Sequence, residues 1–109
     1  MPNTFQHFLV ELHDCEADRA ADEKYLEKIL KENNTKPIHT FFHKFQDHIV
    51  GYILYEKAEY ILHSFFSKGY VGLDLYFTGE EDIQKILSFI IRKLGATKYS
   101  VSKIKRGEE

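Results

Sequence analysis

The chain has 109 residues, of which 43% are hydrophobic and 15% aromatic, so it is large enough to bury one core and too apolar to be intrinsically disordered. Its 15 lysines and arginines against 17 aspartates and glutamates give a formal charge of −2, which lacks the clustered basic excess of a nucleic-acid-binding protein. The length predicts a single domain over residues 1–109. Because the sequence shows neither a membrane-length apolar run nor a signal-peptide pattern, we expect a cytoplasmic location without membrane contact.

The first part of the chain predicts a strand, a helix and a second strand. Alternating apolar residues indicate a strand over residues 4–12. The single cysteine, Cys15, cannot form an internal disulfide, and we expect a structural thiol in a reducing compartment. Apolar spacing over residues 21–30 indicates an amphipathic helix that ends near Asn33 and Asn34. A period of two over residues 38–45 then indicates the second strand.

The second part predicts four more strands and a second helix. The sequence Thr78-Gly79-Glu80-Glu81 matches a capping box, in which the threonine hydroxyl accepts the Glu81 amide hydrogen and begins the helix. An apolar stripe over residues 83–94 continues that helix, and Gly95 ends it. The predicted strands cover residues 49–55, 59–64, 70–77 and 97–104.

The resulting order, β-α-β-β-β-β-α-β with short connections in the middle, predicts antiparallel neighbours. Two amphipathic helices on one face of an antiparallel sheet form a two-layer α+β sandwich. The other face would carry many Phe, Tyr and His side chains, and an exposed apolar face of this size requires a cover. We therefore expect a homodimer in which two sheets stack on each other.

Several segments of the sequence match the residues and spacing found in a known protein family. Residues 7–15 form one such segment, and Phe42-His43-Lys44-Phe45 forms a second. The longest, residues 63–79, begins at His63 and contains a Gly-Tyr pair, an aspartate and a final glycine. The chain resembles the small prokaryotic S-adenosylmethionine decarboxylases along nearly its whole length. The resemblance implies their α+β fold.

The resemblance also bears on the cofactor. In that family a Glu-Ser bond cleaves itself, and the serine becomes a pyruvoyl group that forms a Schiff base with S-adenosylmethionine. By position, the Glu-Ser pair falls on Lys57-Ala58. Alanine has no oxygen to attack the preceding carbonyl. The resemblance therefore implies that the family's pyruvoyl cofactor cannot form here, and we expect no cofactor.

Other family positions have changed as well. The serine that assists processing falls on Val50, the proton-donating cysteine on Thr78, and the glutamate that holds the ribose on Ser67. The histidine needed for processing is retained as His63. Losing a covalent nucleophile alone costs several orders of magnitude in rate, so four changes together indicate that the reaction has been given up.

Aromatic residues leave a binding function open. Phe45 matches a family aromatic that stacks on adenine, and Phe65 and Phe66 stand where the family has Trp-Pro. The resemblance implies that Phe45, Phe65 and Ser67 contact a ligand, although filling a dimer core explains the aromatic rings equally well.

Three hypotheses follow. The first is a pseudoenzyme that binds a small adenosyl or polyamine ligand, or an active homologue, in polyamine (spermidine) metabolism. The second is an enzyme with altered chemistry, a lyase or decarboxylase acting on an amine or nucleoside, with His63 as general acid or base and Lys57 or an added cofactor as electrophile. The third is a purely structural subunit. A metal shared by His39 and His43 is disfavoured because a third ligand at convincing spacing is missing from the sequence pattern.

Overall fold

The computed structural model describes residues 5–32, 36–79 and 82–106, and its strands and longer helices follow the predicted order, with a turn of 3-10 helix at Phe66–Lys68 and one further α-helix added. The added α-helix is a single turn at residues 17–20, too short to leave an amphipathic stripe in the sequence. The elements in chain order are β1 (Phe5–His13), α1 (Ala17–Ala20), α2 (Glu23–Lys31), β2 (His39–Lys44), β3 (Ile49–Tyr55), β4 (Ala58–Phe65), β5 (Tyr70–Thr78), α3 (Ile83–Leu94) and β6 (Lys98–Arg106).

The predicted start of the last helix is wrong. Thr78 is the final residue of β5, and the helix begins after Asp82, whose side chain accepts the Lys85 backbone N–H at 3.3 Å. An aspartate satisfies a free N–H group of the first turn as well as a threonine does. The sequence therefore offered two possible helix starts, Thr78 and Asp82, and the structure uses Asp82. Glu80 and Glu81, like the predicted helix end at Asn33 and Asn34 and the predicted strand start at residue 4, lie outside the described residues.

All six strands form one antiparallel sheet in the order β2-β3-β4-β5-β1-β6. Strands β2 to β5 are neighbours both in sequence and in space, which their short connections require. Strand β1 lies between β5 and β6. This arrangement aligns Val50, His63, Gly72 and Glu11 in one row across four strands.

One face of the sheet is covered by the helices. Along β4, Tyr60, Leu62 and Ser64 are buried on this face. The Ser64 hydroxyl donates to the Ala20 carbonyl at 2.6 Å, and the Tyr55 hydroxyl donates to the Leu30 carbonyl at 3.1 Å. These contacts attach the helical layer to the sheet and confirm the predicted two-layer α+β sandwich.

The opposite side of the sheet is here named the open face. Side chains alternate between the faces with a period of two, and the strand register extends each face from strand to strand. The residues that the register places on the open face include His39, Phe41 and His43 of β2, Val50 and Tyr52 of β3, Ile61 and His63 of β4, Tyr70, Gly72 and Asp74 of β5, and His7, Leu9 and Glu11 of β1.

Within the described ranges, no helix has the length and apolar content needed to cross a membrane.

Candidate binding site

A cavity of about 260 Å³ opens on the open face around Gly72 and is here named the Gly72 cavity. Gly72 pairs with Glu11 on one neighbouring strand and with His63 on the other, while Tyr70 and Asp74 stand two residues away along β5. A Cβ atom at position 72 would lie 3.0 Å from the Tyr70 hydroxyl oxygen. The missing side chain therefore leaves room for the Tyr70 phenol to lie against Gly72, beside Glu11, His63 and Asp74.

The Gly72 cavity is acidic. Burial, together with the nearby carboxylates of Glu11 and Asp74, raises the pKa of the Tyr70 phenol. The ion-pair partners of these carboxylates are imidazoles: His13 Nε2 lies 3.9 Å from a Glu11 carboxylate oxygen, and His7 Nε2 lies 3.5 Å from Asp74 Oδ1. No lysine or arginine whose side chain the structure describes pairs with either carboxylate.

His63, the predicted catalytic residue, lines this cavity with an exposed side chain. Its neighbour across the strand pair is Val50, so the structure brings together the two positions that the resemblance connects with processing. Valine offers no hydroxyl to this row. A histidine beside carboxylates in a cavity can accept or donate a proton, but it needs a substrate placed within hydrogen-bonding distance.

A second cavity of about 170 Å³, here named the Lys57 cavity, contains Lys57, Ala58 and Thr78. The Lys57 carbonyl accepts a hydrogen bond from the Thr78 backbone N–H at 2.9 Å. The Ala58 methyl group packs against the buried core on the helix-covered side. These side chains do not fit a pyruvoyl precursor. The group that would attack the Lys57 carbonyl is a hydroxyl on residue 58, and Ala58 has none.

The two groups of predicted residues lie apart within one chain. Ala58 and His63 are five residues apart on β4, which corresponds to about 16 Å along an extended strand. An odd spacing also places their side chains on opposite faces of the sheet. The structure therefore brings Val50 together with His63, and Lys57 and Ala58 together with Thr78, but it does not unite the two groups.

The predicted ligand contacts Phe45 and Phe65 enclose an unexpected residue. The His48 ring stacks on Phe45 with centroids 4.8 Å apart and on Phe65 with centroids 5.1 Å apart, each at 14° between planes. His48 Nδ1 donates to Asp47 Oδ1 at 2.8 Å, and this hydrogen bond lowers the pKa of the Asp47 carboxyl group. The space between the two phenylalanines, here named the Phe45–Phe65 slot, is therefore filled by the chain's own imidazole.

Ser67 is the third predicted ligand contact, and it lies in an exposed turn of 3-10 helix at Phe66–Lys68. It lines neither the Gly72 cavity nor the Lys57 cavity. Its contact with a ligand stays a prediction.

The remaining candidate residues have structural environments. Burial, with a smaller effect from Asp14, raises the pKa of the Cys15 thiol to about 11. The reactive thiolate is therefore scarce at neutral pH, which supports the structural role predicted for Cys15. Among the described residues, no group of three or more His, Cys, Asp or Glu side chains is placed to hold a metal ion, and this includes His39 and His43.

Comparison with known proteins extends the resemblance over the whole domain. The sequence model of a family described as S-adenosylmethionine decarboxylase matches residues 6–107. The S-adenosylmethionine decarboxylase proenzyme of Pyrococcus furiosus is 30% identical over 109 residues, which cover 94% of this chain and 78% of that protein. The proenzyme of Anoxybacillus flavithermus is 27% identical over 107 residues, with 94% and 86% covered.

A solved structure supports the fold. The crystal structure of the adenosylmethionine decarboxylase from Aquifex aeolicus superposes with a TM-score of 0.87 at 19% identity. The superposition covers 100% of this chain and 95% of that one. Together with the sequence matches, it confirms the predicted family resemblance and fold class.

Proposed function

Because the chain belongs to the S-adenosylmethionine decarboxylase family, we propose that it is a non-processing member that binds rather than catalyses. It keeps the family's scaffold, forms no pyruvoyl group, and acts in polyamine (spermidine) metabolism by binding a small ligand or an active homologue. The observation that carries this proposal is the methyl side chain of Ala58.

The surroundings of Ala58 support the same conclusion. Serine processing requires a hydroxyl that attacks the carbonyl of the preceding residue. Here that carbonyl belongs to Lys57, and the hydrogen bond that it accepts from the Thr78 N–H would polarise it toward attack, but Ala58 contributes only a methyl group to the core. Val50 beside His63 removes a second hydroxyl that the resemblance associates with processing. Ala58→Ser alone would therefore restore one hydroxyl and leave Val50 in place of the other.

Binding is supported by features that a purely structural subunit does not need. The Gly72 cavity brings several polar side chains together on the open face, and a cavity with a few convergent polar groups is the usual form of a small-molecule site. Phe65 borders this cavity and also forms one wall of the Phe45–Phe65 slot. The two sites are therefore adjacent, and a ligand with a flat ring and a polar tail has a place for each part.

A homodimer formed through the open face is part of this proposal. Phe41 on that face is 53% exposed, and Leu9 and Phe45 are also exposed although all three are large and apolar. Large apolar side chains exposed on one face of a sheet favour an interaction site there. The Gly72 cavity and the Lys57 cavity border opposite ends of β4, so stacking two sheets with antiparallel strands would bring each cavity of one copy over the other cavity of its partner.

An enzyme with altered chemistry is the second candidate, favoured by the exposure of His63 in an acidic cavity. Its electrophile would be Lys57 or an added cofactor. The version that uses Lys57 requires His63 to act with Lys57, and within one chain the two line separate cavities. Such an enzyme would therefore need two copies of the chain. It predicts turnover of an amine or nucleoside that disappears in His63→Ala, and equal turnover by that variant would contradict it.

Opening the Phe45–Phe65 slot tests the binding proposal. In His48→Ala, a flat adenosyl ligand no longer has to displace two stacking contacts worth about 0.5–1.5 kcal/mol each, so S-adenosylmethionine should bind about 5- to 150-fold more tightly. Isothermal titration calorimetry measures this change. The matched control is His43→Ala, which removes an imidazole that meets Phe45 edge-on at 4.5 Å and lies outside the slot.

The outcomes separate the hypotheses. Tighter binding in His48→Ala alone, without release of carbon dioxide from S-adenosylmethionine by either protein, supports a binding module. Equal affinity in both variants would show that the slot is not the ring site. Measurable decarboxylation by the pure parent protein would contradict the proposed function itself.

A further inference from the structure

The histidines of the chain share one side of the sheet. The sequence contains 6 histidines, and the structure describes all of them. The ring of His48 lies between Phe45 and Phe65 at the open face. The strand register places the others on the open face, and these are His7, His13, His39, His43 and His63. Because imidazole is the side chain that gains a charge near neutral pH, the open face changes its charge in that range.

Some of these histidines have a carboxylate beside them. In three residue pairs, an imidazole nitrogen lies between 2.8 and 3.9 Å from a carboxylate oxygen. The pairs are His7 with Asp74, His13 with Glu11, and His48 with Asp47. A proton on one of these rings is balanced by its carboxylate, so it adds little repulsion to the open face.

The two histidines of β2 have no such partner. His39 and His43 are exposed, and neither forms an ion pair with a described carboxylate. Phe41 lies between them at strand spacing and is 53% exposed. Strand β2 is at the edge of the sheet, so only β3 flanks these side chains. The exposed apolar ring of Phe41 therefore has an unpaired imidazole on each side along the strand.

The groups that face His39 are neutral or already engaged. Leu54 of β3 is its partner across the strand pair, and the Tyr52 ring lies 6.3 Å away between centroids. The carboxylate on this side is Glu59 of β4, which accepts a hydrogen bond from the Tyr52 hydroxyl at 2.8 Å. This hydrogen bond raises the pKa of the Tyr52 phenol, so the phenol stays neutral. Glu59 is separated from His39 by one strand and does not balance a charge there.

The charged groups around His43 do not balance it either. Across β3 from His43 lies His63 of β4, a second imidazole that gains positive charge. Asp47 in the turn after β2 hydrogen-bonds with His48, and this bond, with a smaller effect from Lys68, lowers the pKa of the Asp47 carboxyl group. The one carboxylate of this turn is thus taken by His48 and lies near a lysine.

We propose that protonation of His39 and His43 separates the homodimer, so that the open face is a pH-sensitive interface. This inference rests on the homodimer of the proposed function and adds its control by pH. In the stacked dimer, the rings beside each Phe41 are buried and uncharged, whereas in the separated chains they face water and take up protons. Because protons bind the separated chains more strongly, the dimer is stable above the range in which imidazole titrates and dissociates as the pH falls through it.

Sedimentation velocity over a series of protein concentrations measures the dissociation constant at about pH 8 and about pH 5.5, on either side of the imidazole range. The constant of the parent should rise roughly 100-fold or more at the lower pH, because like charges that face each other across an interface are strongly disfavoured. Unchanged far-UV circular dichroism should show that the chains separate without unfolding.

Two variants assign the effect to β2. The double variant His39→Gln with His43→Gln keeps polar side chains that cannot gain a charge, and it should stay dimeric at both pH values. The matched control is His13→Gln, which removes an imidazole that Glu11 balances at 3.9 Å. This control should dissociate at the lower pH as the parent does.

The results separate the inference from the proposal on which it rests. A dimer whose dissociation constant is equal at both pH values, or a double variant that dissociates like the parent, would overturn the inference and leave the homodimer standing. Dissociation that occurs only together with unfolding would overturn it as well. A parent that is monomeric at about pH 8, where imidazole is uncharged, would contradict the homodimer itself. Release of carbon dioxide from S-adenosylmethionine would contradict the non-processing function whatever the dimer does.

Discussion

Leu62→Ala should lower the free energy of unfolding by about 2–5 kcal/mol, because it removes a fully buried side chain and leaves a cavity. The neighbouring Ile61→Ala should cost clearly less, since Ile61 is only partly buried on the open face. The two residues are adjacent on β4 and differ chiefly in the face that they occupy. Chemical denaturation of both variants measures the difference.

Protein concentration separates the two faces further. If sheets stack in solution, the effect of Ile61→Ala should grow with protein concentration, because dimerisation stabilises the folded chain by mass action. The effect of Leu62→Ala should persist at the lowest concentrations. Equal losses for both variants at every concentration would contradict the assignment of a helix-covered face and an open face.

Phe41→Lys should convert a dimer into monomers. Phe41 is a large exposed aromatic on the open face, and placing a charge in a stacked interface costs about 2 kcal/mol or more, or roughly 30-fold in the dissociation constant. Sedimentation velocity measures the change, with the parent expected at twice the 12.9 kDa of the chain.

Tyr99→Lys is the matched control for that experiment. Tyr99 is an aromatic residue with 58% exposure on the other edge strand, and it pairs with the buried Leu12, which places it on the helix-covered side. Tyr99→Lys should therefore remain dimeric. A monomeric parent, or equal dissociation of both variants, would contradict pairing through the open face.

Much of the fold could be predicted because period-two patterns are local. The bounds of β3 were predicted to the residue, and the strand predicted over residues 70–77 is β5, in which Val71, Leu73, Leu75 and Phe77 are buried. The place of β1 between β5 and β6 has no such local signal. Partners distant in sequence are chosen by packing of the whole domain, and this pairing assembles the Gly72 cavity by bringing Glu11 beside Gly72.

The candidate site was predicted only in part for the same reason. His63, Phe45 and Phe65 were named from the resemblance, but a resemblance carries residue identities without their contacts. His48 was missed because a ring in a turn has no periodicity, and nothing in the sequence showed that it fills the Phe45–Phe65 slot. Gly72 left a clear signal, since a glycine inside a strand marks a place where another group approaches closely.

The intact mass under denaturing conditions tests the central claim, that this family member does not process itself, most directly. Pyruvoyl formation in the family breaks the chain before the serine position, so a processing protein yields two fragments. We predict a single species near 12.9 kDa, with no cleavage between Lys57 and Ala58. Two fragments that divide the chain at Lys57-Ala58 would contradict the account.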